Sequence, residues 1–236
     1  MTDLTPWLRE WPWRPGSLDV RAVVAADGRP LLQIRLELGI LQLEADGRPD
    51  GLGYRDAPSA LAWWIDRPDA RLDAEGVGDL ESEMAQRRQR AMACAAMQDW
   101  RRVHRDSGEN LQALDLIAAR AASMEDRRRL EAWRVHEVAT RSRAEASIAV
   151  AMGRRDLARQ ALESGLAAVR DACGGAASGG EAQVAMLMGL LDALTLKLPS
   201  SERAELEGRL LAAVRSENFE LAAILRDELR LLGGHG

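Results

Sequence analysis

The alternation of apolar and polar side chains from Asp19 to Glu44 predicts β-strands. Val20 and Val24 stand with Ala22 between them at alternate positions, and Leu32, Ile34, Leu36 and Leu38 are separated by Gln33, Arg35 and Glu37. Asp27-Gly28-Arg29-Pro30 reads as the turn between two strands. After Gly39 the apolar phase shifts to Leu41 and Leu43, which is read as a bulge or bend at the glycine, and a second DGRP at 46–49 closes the unit. Such a small sheet needs a cover. Leu61, Trp63, Trp64 and Ile65, or the Trp7/Trp11/Trp13 group, are the candidates.

Residues 66–78 mix Pro, Gly and charge and read as a loop, beyond which the period becomes helical. A helix is expected from Asp79 to about Arg105, ended by Asp106-Ser107-Gly108. Asn110 is placed to cap a second one carrying Leu111, Leu114, Ile117 and Ala118. Ser123 with Asp126 forms a capping box that opens a long helix reaching Gly153, and Arg155–Cys173 forms the next. The low-complexity stretch 174–180 is a connector, and a helix over 181–198 ends at Pro199. The expected fold is therefore α+β and predominantly α-helical. Its units are a small antiparallel β unit over 1–75, a helical-hairpin layer over 79–198 and a C-terminal helical hairpin over 200–232.

The last of these units is the most specific part of the chain. Two short amphipathic helices, about 202–214 and 219–232, are joined by Arg215-Ser216-Glu217-Asn218, with Ser216 or Asn218 as the cap of the second. On the second helix Ala222, Leu225, Leu229 and Leu232 form one apolar stripe, and Leu221, Ile224 and Leu231 form another about a quarter turn away. The first helix repeats this with Leu206, Leu210 and Ala213 beside Leu211 and Val214. One stripe serves the sister helix and the other remains to be covered. A chain this short lies below the roughly 40 residues that usually suffice for autonomous folding, so the hairpin has to dock on something.

The run Phe219-Glu220-Leu221-Ala222-Ala223-Ile224-Leu225-Arg226-Asp227 resembles the core of the UVR domain, the UvrB/UvrC motif. The resemblance covers only this C-terminal segment. It implies a protein-interaction module, since such hairpins let the excision-repair proteins UvrB and UvrC associate and occur in regulators of Clp proteases. Helicase and zinc modules found beside the motif elsewhere have no counterpart here, for the chain holds no Walker A sequence and no CxxC. The residues expected to meet the partner are Leu206, Leu210, Leu211, Val214, Phe219, Leu221, Ala222, Ala223, Ile224, Leu225, Arg226, Asp227 and Leu229. That partner is a protein, a second copy of the chain included. Residues 144–166 also resemble a tetratricopeptide-type helical pair, with Gly153 at the turn and Ala158, Leu162 and Gly165 following, though no second copy is found at a 34-residue period.

Composition adds a rival. The net charge of −5 hides a basic middle, in which residues 85–155 carry 15 arginines against 9 acids. Arg87, Arg88, Arg101, Arg102, Arg105, Arg127 and Arg128, with Trp100 and Trp133 nearby in sequence, define an alternative nucleic-acid face. Adjacent arginines point to different sides of a helix, however, which favours solvated helix faces. His136-Glu137 approaches HExxH, but Thr140 stands where the second histidine belongs. No nucleophile elbow, phosphate loop or paired-carboxylate site is present in the sequence, so the expectation is a noncatalytic protein without cofactor. The two cysteines, Cys94 and Cys173, are isolated in sequence, and no apolar run of membrane-spanning or leader type occurs, so the expected compartment is the cytoplasm.

Overall fold

The computed structural model describes residues 3–173, 180–195, 200–215 and 219–234. In chain order its elements are α1 (Thr5–Glu10), β1 (Val20–Val24), β2 (Pro30–Leu36), β3 (Gly39–Glu44), α2 (Ala60–Ile65), α3 (Ala74–Ala96), α4 (Trp100–Arg120), α5 (Met124–Glu131), α6 (Arg134–Ala151), α7 (Arg155–Ala172), α8 (Glu181–Thr195), α9 (Ser200–Arg215) and α10 (Phe219–Gly234). The fold is predominantly α-helical α+β. Among the described residues no helix is long and apolar enough to cross a membrane.

The three strands form one antiparallel sheet in the order β1-β2-β3. Leu32 pairs with Leu43 and Ile34 with Leu41, and Leu36 meets Gly39 across a two-residue reversal at Glu37-Leu38. The change of apolar phase at Gly39 is thus a hairpin rather than the bend expected from the sequence. Antiparallel pairing around a two-residue loop puts even positions of one strand opposite odd positions of the next, so a phase change is what a reversal there produces. Leu38, at the tip, is 90% exposed.

The cover of the sheet also differs from expectation. Leu32, Ile34, Leu43 and Ala45 pack on Ala91, Ala93 and Cys94 of α3, Val103 of α4 and Ala144 of α6. Leu61 and Trp64 of α2 join a separate core with Leu80, Met84, Leu114 and Ile117. The opposite sheet face meets the N-terminal segment. There the Arg21 guanidinium lies 4.2 Å over the Trp11 ring, and buried Arg35 donates to the carbonyls of Trp11 and Gly39.

The stretch read as a 66–78 loop contains the start of α3 at Ala74, capped by Asp73, whose carboxylate accepts from the Gly76 amide. Leu72 is fully buried and bridges to Ala121. Gly76 lies against Trp64 so closely that a Cβ would sit 2.3 Å from the indole, and this proximity requires a glycine. Asp106-Ser107-Gly108 does not end a helix. The break falls earlier, at Met97-Gln98-Asp99, where Gln98 takes φ +60° and Asp99 caps α4. Asn110, expected as a cap, is buried inside α4 and donates to the Met84 carbonyl at 3.1 Å.

The Ser123 cap forms as expected, but the helix it opens is interrupted at Ala132-Trp133. Leu130 and Trp133 both pack on the core between α2, α3 and α4. α6 and α7 then form a hairpin about Gly153, which has φ +72°, and α8 packs on both through Leu162, Leu166, Val169 and Leu187. The end of the helix expected over 181–198, and Pro199, lie outside the described residues.

Candidate functional site

α9 and α10 pack on each other, and among the described residues neither makes an extended contact with another element. Among the described side chains, their shared seam centres on two buried residues. Ala213 and Leu225 are 3% and 2% exposed, with Leu206 and Leu210 packed beside them. The seam uses the first stripe of each helix, since Leu206, Leu210 and Ala213 recur at spacings of three and four and point to one side. Leu229 is half-buried along the same row and Ala223 lies half-buried beside it.

Among the described residues the second stripe of each helix points outward; the side chains of Leu231 and Leu232 lie outside them. Leu211 is 55% exposed, Val214 49%, Ile224 59% and Leu221 39%. Four large aliphatic side chains exposed on one short hairpin are more than a solvated surface calls for. Arg226 and Asp227 are exposed and touch each other at 3.4 Å, at the outer limit of a hydrogen bond. They sit one and two positions on from the buried Leu225, so they flank the apolar surface with charge. The side chains of Phe219 and Ala222, and the connecting residues 216–218 with both cap candidates, lie outside the described residues.

The alternative site is organised differently from its sequence reading. Arg87 is buried and pairs with Glu83 and, at 2.7 Å, with Glu109. Arg88 pairs with Glu137 at 2.9 Å and lies 4.2 Å over the Trp133 ring. Arg102 and Arg105 both bind Asp46, at 2.9 and 2.7 Å, with further bonds to Asp99 and Asp106 respectively. Arg127 donates to the Ala121 carbonyl. Arg101 and Arg128 are exposed and have no ion pair among the described residues. The basic middle of the chain is thus largely neutralised by acids that α3, α4, α6 and the loop after β3 bring to it. The faces of Trp100 and Trp133 are covered by Arg143 and Arg88.

The same pairing shapes the titration of the acids. The hydrogen bonds from Arg102 and Arg105 hold the Asp46 carboxyl down at about 2. Burial pushes Glu137 up, against the pull of Arg88 and Asn110. Burial, with Arg88 nearby, holds His136 below the usual imidazole range, and its ring contacts Thr140 at 3.4 Å. Glu137 is engaged by Arg88 and Asn110, so His136-Glu137 does not present a carboxylate as a free base or ligand. Sequence reasoning missed the distant acid partners Glu137 and Asp46, because they lie 49 to 59 positions from their arginines and no local periodicity reports them.

Comparison with curated proteins and with solved structures finds no match. Residues 201–234 match the family model of the UvrB/uvrC motif. The matched stretch coincides with α9 and α10. The hairpin with the outward apolar face is therefore a UVR motif, and the sheet and the helices α1 to α8 lie outside it.

Proposed function

We propose that the chain is a noncatalytic protein-binding protein of the cytoplasm, and that its docking element is the UVR hairpin paired with a second copy of itself. The observation that carries this reading is the division of the hairpin's apolar residues. Leu225 and Ala213 are spent on the seam, whereas Leu211, Val214 and Ile224 are 49–59% exposed. Two hairpins laid with these faces together give a four-helix bundle, in which each contributes an apolar row and the row of the other covers it. The charges flanking the face have both signs, Arg209 and Arg226 with Asp227 and Glu228, so a two-fold arrangement sets unlike charges opposite one another. Cys94 and Cys173 are unbridged, in keeping with a reducing compartment.

Nucleic-acid binding gains less support. Counterion release needs cations that are free to meet phosphate, and five of the seven candidate arginines already bond to protein groups.

The test is light scattering on the full chain beside Leu211→Asp/Ile224→Asp. Both side chains are exposed in the protomer, so the variant keeps its fold. The expected result is a dimer for the natural chain and a monomer of unchanged circular dichroism for the variant. A natural chain that is monomeric throughout, or a variant that dimerises equally well, contradicts the proposal. Capture of a different protein by a monomeric chain would give the face to a heterologous partner.

A further inference from the structure

α4 packs on both α3 and α6, and the two outer helices leave a groove between them. The groove encloses a cleft of about 630 Å3, which continues into a smaller one of about 260 Å3 through Ala95, His136, Thr140 and Arg143. The larger volume lies within the roughly 300–1,000 Å3 typical of small-molecule sites. Its walls come from three separate stretches of chain, since Leu18 ahead of β1 joins α3 and α6 in lining it.

The two walls differ in chemistry. α3 contributes mainly Ala85, Met92, Ala95 and Ala96, with Gln89 among them, and Met92 is 47% exposed. α6 contributes His136, Thr140 and Arg143. Arg88 and Glu137 also line the cleft but bind each other. Arg143 differs from them. Its guanidinium is held 4.9 Å over the Trp100 ring, and among the described residues it has no carboxylate partner. With His136 neutral, Arg88 and Arg143 outweigh Glu137, and the lining carries a net positive charge beside an apolar wall.

We propose that this cleft binds a small amphiphilic anion, its apolar body against Ala85, Met92, Ala95 and Ala96 and its anionic head on the Arg143 guanidinium. A guanidinium offers paired donors to a planar oxyanion, and stacking on Trp100 fixes its plane in advance. The proposal is independent of the hairpin, which among the described residues contributes none to the cleft.

Decanoate, below its micelle concentration, is the probe. Calorimetry on the full chain is expected to show saturable one-to-one binding, with a change in tryptophan fluorescence from Trp100. Decanol, of equal length and no charge, binds at least about tenfold more weakly, and Arg143→Gln lowers decanoate affinity by about tenfold or more. Met92→Glu, at an exposed position, removes binding by placing a carboxylate in the path of the ligand, and decides the matter if Arg143→Gln fails to fold. The proposal is overturned if decanoate does not saturate, if decanol binds as well, or if Met92→Glu binds decanoate like the natural chain. It is overturned as well if backbone amides at Met92 and Arg143 gain exchange protection on self-association while decanoate stays unbound. That result gives the cleft to a second copy of the chain.

Discussion

Arg90 and Asp106 are both completely buried and meet through two bonds of 2.8 Å, while Arg90 also donates to the carbonyls of Glu44 and Gly47. One guanidinium thereby joins α3, α4 and the loop after β3. Removing one member of such a pair leaves an uncompensated charge in the interior, so Asp106→Ala is expected to cost about 3–5 kcal/mol. Denaturant titration measures this, and Arg90→Met in the same chain should return much of the loss. Asp46 behaves differently because its side chain is 54% exposed. Its pKa in the fold, about 2, is below the ordinary 3.8, so its contribution is present above pH 4 and is lost as the pH falls towards 2. Asp46→Asn should therefore lower the unfolding free energy at neutral pH by a small amount, under about 1 kcal/mol after screening, read from denaturant titration. The difference from the natural chain should shrink as the pH falls through about 2, and a difference that stays undiminished below it contradicts the pairing. None of this was legible in the sequence. Arginine counts report charge, but the partner of each arginine is chosen by tertiary packing.

At the scale of elements, periodicity located most helices and strands, and it failed where a tertiary contact overrode a local preference. Asp106-Ser107-Gly108 has turn chemistry, yet α4 runs through it. Asp106 is held by Arg90, the Ser107 hydroxyl donates to the Val103 carbonyl at 2.8 Å, and Gly108 leaves room for Arg141, whose Nη1 would lie 2.9 Å from a Cβ. The true break at Gln98 carries no glycine to announce it. A non-glycine residue in the left-handed region costs about 1–2 kcal/mol, partly offset by the greater chain entropy that glycine loses. Gln98→Gly is thus expected to raise stability by up to about 1 kcal/mol, read from the denaturation midpoint. Gly165 shows the reverse case. A Cβ there would meet Ser142 Oγ at 2.3 Å, so Gly165→Ala should force α6 and α7 apart and cost about 1–3 kcal/mol. The glycine was legible as part of a helical pair, whereas its neighbour Ser142 was not.

For the whole molecule, the division between body and hairpin decides the functional reading. The body buries its apolar stripes in three connected layers, with Leu32 and Ile34 on α3, Leu80 and Met84 against α4, and Leu162 and Leu166 against α8. The hairpin buries Ala213 and Leu225 and leaves the neighbouring stripe open. The sequence showed both stripes of the hairpin, because a helix of 3.6 residues per turn separates Leu225 from Ile224 by a fixed angle. Which stripe faces the sister helix is a matter of packing, and the structure assigns Leu225 to the inside and Ile224 to the outside.

The central claim is that the outward face is completed by a second copy, and it bears on the stability of the hairpin itself. A two-helix unit of so few residues is marginal alone, so its amides should gain protection only as copies associate. Hydrogen exchange followed by mass spectrometry over a series of protein concentrations tests this directly. The account predicts that protection across α9 and α10 rises with concentration while that of α3, α4 and α6 stays constant. Protection of the hairpin that is independent of concentration contradicts it.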